Sequence, residues 1–275
     1  MTTPSLALND GRTIPRIGAG TWPVSDRDAP TVVHAALEAG FRHIDTAAAY
    51  GNESGVGTGI RTGGVEREDL FLTTKIGNND HGRRRAARAL EESLRRLQTD
   101  YVDLALIHWP MPGIGLYEET WQALIDLREA GKARSIGVSN FRPEHLDRII
   151  RSTGVTPAVN QIEVNPIVAH RDLRKATIDR GIVVESWSPL GPSTNLLGEP
   201  ALATIAAKQD RTPAQIILRW HLDHGLVVIP KSSSPQRLRE NIAVTDFTLD
   251  EDDHATLDGF DQASPARYSA HLAGG

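Results

Sequence analysis

The chain has 275 residues, 39% of them hydrophobic, with a net charge of −5 and a pI near 6.1. That length permits two domains, but α/β barrels routinely use it as one, and we read residues 1–275 as a single barrel domain. The acidic balance offers no basic footprint for nucleic acid or an anionic membrane, and the absence of cysteine removes disulfides, thiolate nucleophiles and cysteine–zinc sites together. The start, MTTPSLALNDGR, has no basic segment followed by an apolar run, so no signal peptide is expected. No apolar stretch approaches the ~20 residues of a membrane helix, and a soluble cytoplasmic protein is the expectation.

The first predicted element is a hairpin, residues 6–8 and 13–15 about the turn Asn9-Asp10-Gly11, in which Asp-Gly is the signal. Short apolar runs then follow at 17–20, 42–45, 70–75, 101–108, 134–139, 158–163, 182–187 and 226–231, each read as a strand. Helical segments lie between them, at 31–39, 82–97, 118–130, 143–150, 171–180, 214–224 and 236–244. Gly40, Gly131 and Gly181 sit where helices stop. Ala86, Leu90, Leu94 and Leu97 form one stripe of the second helix. Thr212-Pro213 and Ser234-Pro235 each pair an N-cap with a proline at the first helical position. An extra helix at 250–257 and a small polar tail close the chain, the tail expected over the surface or an opening.

Eight strand–helix units predict a (β/α)8 TIM barrel. An open doubly wound sheet is the competing fold, but its phosphate-binding glycine turn is missing. "GVGTGI" breaks that pattern at Ile60 and lies inside a helical segment, where its glycines read as close packing.

In a barrel, chemistry gathers where strands end. Those ends carry Trp22, Asp45 and Tyr50, Lys75, His108 and Trp109, Ser139 and Asn140, Gln161 and Glu163, Trp187 and Ser188, then Lys231 and Ser232. The stretch "FRHIDTAAAYGNE" concentrates ionisable groups beside a buried-looking strand, where they rarely belong unless paired or working. Singly, each has a plain structural explanation; an acid, a tyrosine, a lysine and a histidine at adjacent strand tips do not.

A free phenol has a pKa near ~10 and surrenders its proton reluctantly. An ammonium beside it favours the phenolate, so Lys75 is expected to make Tyr50 more acidic, with Asp45 holding Lys75 charged and in place. His108 can donate to an oxygen that shares the site. The product is a general acid aimed at a carbonyl oxygen. No activated serine or cysteine is visible, so a nicotinamide hydride is the fitting nucleophile. Two other readings stand beside this one. His43 and Asp45 share one face of a strand, as a metal-dependent hydrolase would need, although the remaining ligands are missing and His43 is expected deeper in the barrel. A cofactor-binding regulatory protein would keep the same pocket without turnover.

The runs "GFRHIDTAAAYGNE", "LFLTTK", "ESLRRLQTDYVDLALIHWP", "GKARSIGVSNF", "AVNQIEVNP", "ESWSPLG" and "IPKSSSPQRLREN" cover most of the chain in order. In them the sequence resembles the aldo-keto reductase superfamily and is similar to the bacterial 2,5-diketo-D-gluconate reductases. The resemblance implies a catalytic tetrad of Asp45, Tyr50, Lys75 and His108, with Tyr50 the proton donor, and an extended NADPH. It puts Ser139, Asn140 and Gln161 at the carboxamide, Trp187 on the nicotinamide ring, and Ser188, Leu190 and Gly191 near the pyrophosphate, with Thr21 a further cofactor contact. Lys231, Ser232 and Arg237 fall at the 2′-phosphate, Glu240 and Asn241 at the adenine. Trp22, Trp109, Asn78 and the tail after Asp261 form the substrate walls. Relatives often carry another basic residue between Lys231 and Arg237 and a tryptophan near Asn78, so a less steep NADPH preference and a more open, polar mouth are expected. No metal and no obligate protein partner are implied; the substrate is a small carbonyl compound and the protein a monomer.

Overall fold

The computed structural model describes residues 4–192 and 194–262. Strands β1 (Ser5–Ala7) and β2 (Thr13–Pro15) form the antiparallel hairpin, paired Leu6 to Ile14. The barrel strands are β3 (Ala19–Gly20), β4 (His43–Asp45), β5 (Phe71–Ile76), β6 (Val102–Ile107), β7 (Ala133–Ser139), β8 (Val159–Glu163), β9 (Val183–Trp187) and β10 (Val227–Val228). All eight are parallel and neighbour one another in chain order. The ring closes where Ile17 bridges Val228, with Gly18 N donating to Val228 O at 2.8 Å and Val228 N to Arg16 O at 2.9 Å. Strand β10 is shorter than the sequence suggests, because Pro230 has no N–H to offer a ladder.

The crossovers are α1 (Ala29–Ala39), α2 (Glu53–Thr62), α3 (Arg83–Leu97), α4 (Tyr117–Glu129), α5 (Pro143–Thr153) and α6 (Arg171–Ile178). They are followed by α7 (Pro200–Gln209), α8 (Pro213–Asp223), α9 (Pro235–Ile242) and the additional α10 (Glu251–Asp258). Helix α7 was not expected from the sequence; the β9–β10 crossover carries two helices where one was read. Thr212 caps α8 in a capping box with Gln215, and the Ser234 side chain accepts from Arg237 N at the start of α9.

The "GVGTGI" glycines lie on α2 and serve packing. A Cβ on Gly57 would meet the Leu97 carbonyl oxygen at 2.5 Å, and one on Gly59 would meet Val33 Cβ at 2.7 Å. Helix α2 therefore fits against α1 and α3 only with bare backbone on that face.

The hairpin plugs the N-terminal end of the barrel. Leu8 and Ile14 are buried with Phe71, Leu104, Val159 and Val227 in one apolar cluster, and Asn9 Nδ2 pins the turn to Pro157 O at 2.8 Å. That layer is apolar; polar side chains such as Asp45, Lys75 and Gln161 enter the barrel interior above it. The opposite mouth of the barrel is left open by the hairpin.

Candidate active site

Asp45 ends β4 in register with Thr73 of β5, and Lys75 is the next inward-facing residue of β5. Alternation along the strand decides the rest. Lys75 turns inward and donates to Asp45 Oδ1 at 2.6 Å, to Thr46 O at 3.1 Å and to the Tyr50 hydroxyl at 3.2 Å. Thr74 turns outward and donates to Glu53 Oε1 at 2.6 Å, while Arg96 holds the other oxygen of Glu53 at 2.7 Å. Glu53 is thus satisfied core behind the sheet, and Asp45 belongs to the mouth.

Tyr50 sits in a helical turn after β4, and its ring meets His108 edge-on at 5.7 Å between centroids. His108 follows β6, its backbone N–H donating to Ile76 O. The sequence-selected four therefore gather at one barrel mouth. Trp22 lies 5.2 Å from the Tyr50 ring and is more than half exposed. Asn78 follows β5 in a short turn, and Trp109 packs partly buried against the apolar cluster that includes Ile162, Val164 and Ile167. The tail expected at the mouth lies outside the described residues apart from Asp261 and Gln262; Gln262 N donates to Ile167 O at 3.0 Å.

Burial pushes the Tyr50 phenol above its ordinary value. Lys75 pulls it down, as the sequence suggested, but desolvation outweighs that pull and Asp45 adds to the upward side. The phenol therefore holds its proton throughout the neutral range. Burial also works against the Lys75 ammonium, yet Asp45 and the phenol outweigh it and keep the group charged. His108 is pushed down to about 3, by burial first and the Lys75 charge second, and is a neutral imidazole.

His43 and His221 are likewise pushed down to about 4, chiefly by burial. An unfolded histidine takes up its proton near 6.5, so between that pH and about 4 the unfolded chain binds more protons than the folded one. Stability should fall as pH drops through this window. Urea unfolding near neutrality and again at about pH 5 checks this; an equal midpoint at both would show that these imidazoles are not held neutral.

The cofactor residues expected from the sequence fall into two groups. Near the tetrad, Ser139 Oγ donates to Gln161 O at 2.8 Å, Asn140 Nδ2 to His108 O at 3.0 Å, and Trp187 Nε1 to Asn140 Oδ1 at 3.0 Å. Thr21 Oγ1 donates to the Asp45 carbonyl at 2.9 Å. Beyond β9, Ser188 and Gly191 both have positive φ, which turns the chain sharply after the strand. Leu190, Lys231, Ser232, Arg237, Glu240 and Asn241 then line one open cavity of about 800 Å³ at the N-terminus of α9. Among the described residues, neither the Lys231 ammonium nor the Arg237 guanidinium has an ion-pair partner.

Gln161 is engaged within the barrel through its amide nitrogen. Its Nε2 donates to Asp45 Oδ2 at 2.8 Å and to Glu185 Oε2 at 2.7 Å, so both amide hydrogens are committed to carboxyl groups. Sequence reasoning also missed Asn52, which is buried, accepts from Thr46 Oγ1 and donates to Thr21 O and Val24 O. Asn52 holds together the two segments that frame Asp45. It was legible as a polar residue inside a packed motif, but only the fold names its partners. His43 lies deeper, its Nε2 beside Thr73 Oγ1 at 3.1 Å. Among the described residues no three histidine, aspartate or glutamate side chains are grouped to hold a metal ion.

An acid–base chain buried at the C-terminal mouth of a parallel (β/α)8 ring is the construction of a barrel enzyme. The aldo/keto reductase family model matches residues 16–262. An aldo-keto reductase of Mycolicibacterium vanbaalenii is 51% identical over 264 residues, covering 96% of this chain and 94% of that protein. Methylglyoxal reductase DkgA of Escherichia coli is 47% identical over 264 residues, covering 95% of both. The crystal structure of a mutant of Gox0644 in complex with NADPH has a TM-score of 0.91 at 45% identity, covering 95% of both chains. The chain belongs to the aldo/keto reductase family.

Proposed function

We propose that this protein reduces aldehydes and ketones to alcohols with NADPH, and that Tyr50 is the general acid. The observation carrying this reading is the unbroken contact from Asp45 to Lys75 to Tyr50, at 2.6 and 3.2 Å, with a neutral His108 against the phenol.

The chain's own groups divide the work. His108, holding one N–H, donates to the carbonyl oxygen and orients it. A bound NADPH supplies a hydride for the carbonyl carbon. The oxygen, becoming an alkoxide, takes the Tyr50 proton, and the Lys75 ammonium stabilises the phenolate left behind. Asp45 balances that ammonium in both states.

The donor set fits an extended dinucleotide. Asn140, Ser139 and the Gln161 amide oxygen offer polar contacts for the carboxamide, and Trp187 offers a half-buried ring face for stacking. Thr21, Ser188, Leu190 and Gly191 lead toward the pyrophosphate. Lys231 and Arg237, without ion-pair partners among the described residues, suit a 2′-phosphate together with Ser232 and the capped start of α9, and Glu240 with Asn241 suits the adenine. For the carbonyl substrate, Trp22, Asn78 and Trp109 frame an open mouth with polar and aromatic walls, which favours small dicarbonyls and keto-sugar acids. We read residues 1–275 as one barrel domain acting on small molecules in the cytoplasm without an obligate protein partner.

The test is NADPH absorbance on adding methylglyoxal, with and without a strong chelator. Loss of absorbance in both is expected; an inert protein would support the binding-only reading, and chelator sensitivity the metal one. Lys231→Ala and Arg237→Ala should each weaken NADPH by about tenfold, as loss of a charged hydrogen bond does, with NADH little affected. Equal losses for both nicotinamides would remove these residues from the phosphate.

A further inference from the structure

Glu185 is a fully buried carboxyl group that the proposed reaction does not use. It lies inside the barrel on β9, directly beside Gln161 of β8 and Val227 of β10 in register. A buried acid is costly unless bonded, and an apolar residue there would be cheaper. Its contacts lead to one place. Glu185 Oε2 accepts one Gln161 amide hydrogen at 2.7 Å, and Asp45 Oδ2 accepts the other at 2.8 Å.

Strands β8 and β4 stand four apart in a ring of eight, so the Gln161–Asp45 bond spans the lumen between opposite walls. An amide reaching across a barrel has no neighbour on its own strand to hold its plane. Glu185, on the adjacent strand, fixes that plane by taking the second hydrogen. With Oδ2 of Asp45 thus occupied, Oδ1 is left to Lys75, whose ammonium reaches Tyr50. The chain Glu185–Gln161–Asp45–Lys75–Tyr50 is continuous, and each link is a hydrogen bond of 3.2 Å or less.

The charged and titratable groups around Glu185 are few. Strand β4 brings Asp45 and His43, whose Nε2 is 3.6 Å from Glu185 Oε1. Strand β5 brings Lys75. Strand β8 brings neutral Gln161, with Glu163 one inward step further along, and β10 brings only Val227. Glu185 Oε1 has no hydrogen-bond partner among the described residues, so its hydrogen bonding runs through Oε2 to Gln161.

We propose that Glu185 is a positioning residue for carbonyl reduction, holding the Gln161 amide that orients Asp45 and, through Lys75, the Tyr50 acid. This rests on Tyr50 being that acid. Electrostatics supports the same connection: an ionised Glu185 pushes the phenol upward, and burial followed by Asp45 raises Glu185 itself above the usual carboxylate range.

The experiment compares Glu185→Leu, Glu185→Gln and Tyr50→Phe in methylglyoxal reduction at saturating NADPH. E185L, with no acceptor, should lower kcat at saturating NADPH by about tenfold through lost alignment while KM for methylglyoxal holds within about twofold. E185Q keeps an acceptor oxygen for Gln161 and should restore most of kcat. Lacking the charge, E185Q should also move the alkaline limb of the rate profile to lower pH, since an ionised Glu185 keeps the phenol protonated longer. A folded E185L with parental kcat, or E185Q as impaired as E185L, overturns the proposal. Should E185L not fold, the E185Q alkaline limb decides, and a limb at the parental position overturns it. An inactive Y50F beside an unaffected E185L removes Glu185 alone; an active Y50F removes the acid assignment beneath it.

Discussion

Tyr50→Phe should slow carbonyl reduction by about 10²–10⁴-fold, the range that a positioned general acid contributes, and leave NADPH binding unchanged. The substitution removes one oxygen and nothing else. The ring keeps its contacts with Trp22 and His108, which depend on aromatic faces and not on the hydroxyl. Lys75 loses one of three acceptors but keeps Asp45 Oδ1 and Thr46 O, so its charge stays compensated and the fold should stand. Cofactor affinity, followed by quenching of tryptophan fluorescence as NADPH is added, separates a chemical defect from a binding defect. Full activity in this variant would mean that the alkoxide receives its proton elsewhere. His108, neutral and already depressed to about 3, would then be the first alternative to examine.

Lys75→Met should be equally slow and, unlike Tyr50→Phe, markedly unstable. Methionine fills similar volume, so packing is largely spared. What changes is charge: Asp45 is 1% exposed and would face the barrel interior without its ammonium. Removing one partner of a buried pair typically costs about 3–5 kcal/mol, because the other is left uncompensated. The phenolate would also lose its counter-charge, so the proton transfer becomes harder as well. A double variant, Lys75→Met with Asp45→Asn, should recover much of the lost stability and none of the activity. Urea midpoints and turnover measured on all three proteins test both halves. A stable, active Lys75→Met would show that the ammonium is an ornament of the core.

The amino-acid sequence made the barrel legible because strand and helix periods alternate along it and glycines or capping residues stand at many boundaries. It made the gathering of Asp45, Tyr50, Lys75 and His108 legible because all four fall at or just past ends of predicted strands, and strand ends share one mouth in a parallel ring. The same reasoning chose Asp45 over Glu53 by its place at the strand end but could not say what Glu53, the other acid of that stretch, does. Their separation depends on which side of β5 offers a partner: Thr74 turns one way and Lys75 the other. Nor could it weigh burial against charge at Tyr50, since desolvation depends on everything packed around the phenol.

By itself, then, the sequence determined the alternation of strands and helices apart from α7, the mouth at which the strand-end side chains gather, and the residue types available there, because these follow from local periodicity and from position along a strand. Only the tertiary structure decided which of those groups touch. Gln161 and Asp45 are 116 residues apart in the chain and 2.8 Å apart in space, joined across the lumen. Glu185 enters the same network by its register beside Gln161. Ring closure sets such distances, and no local pattern encodes them.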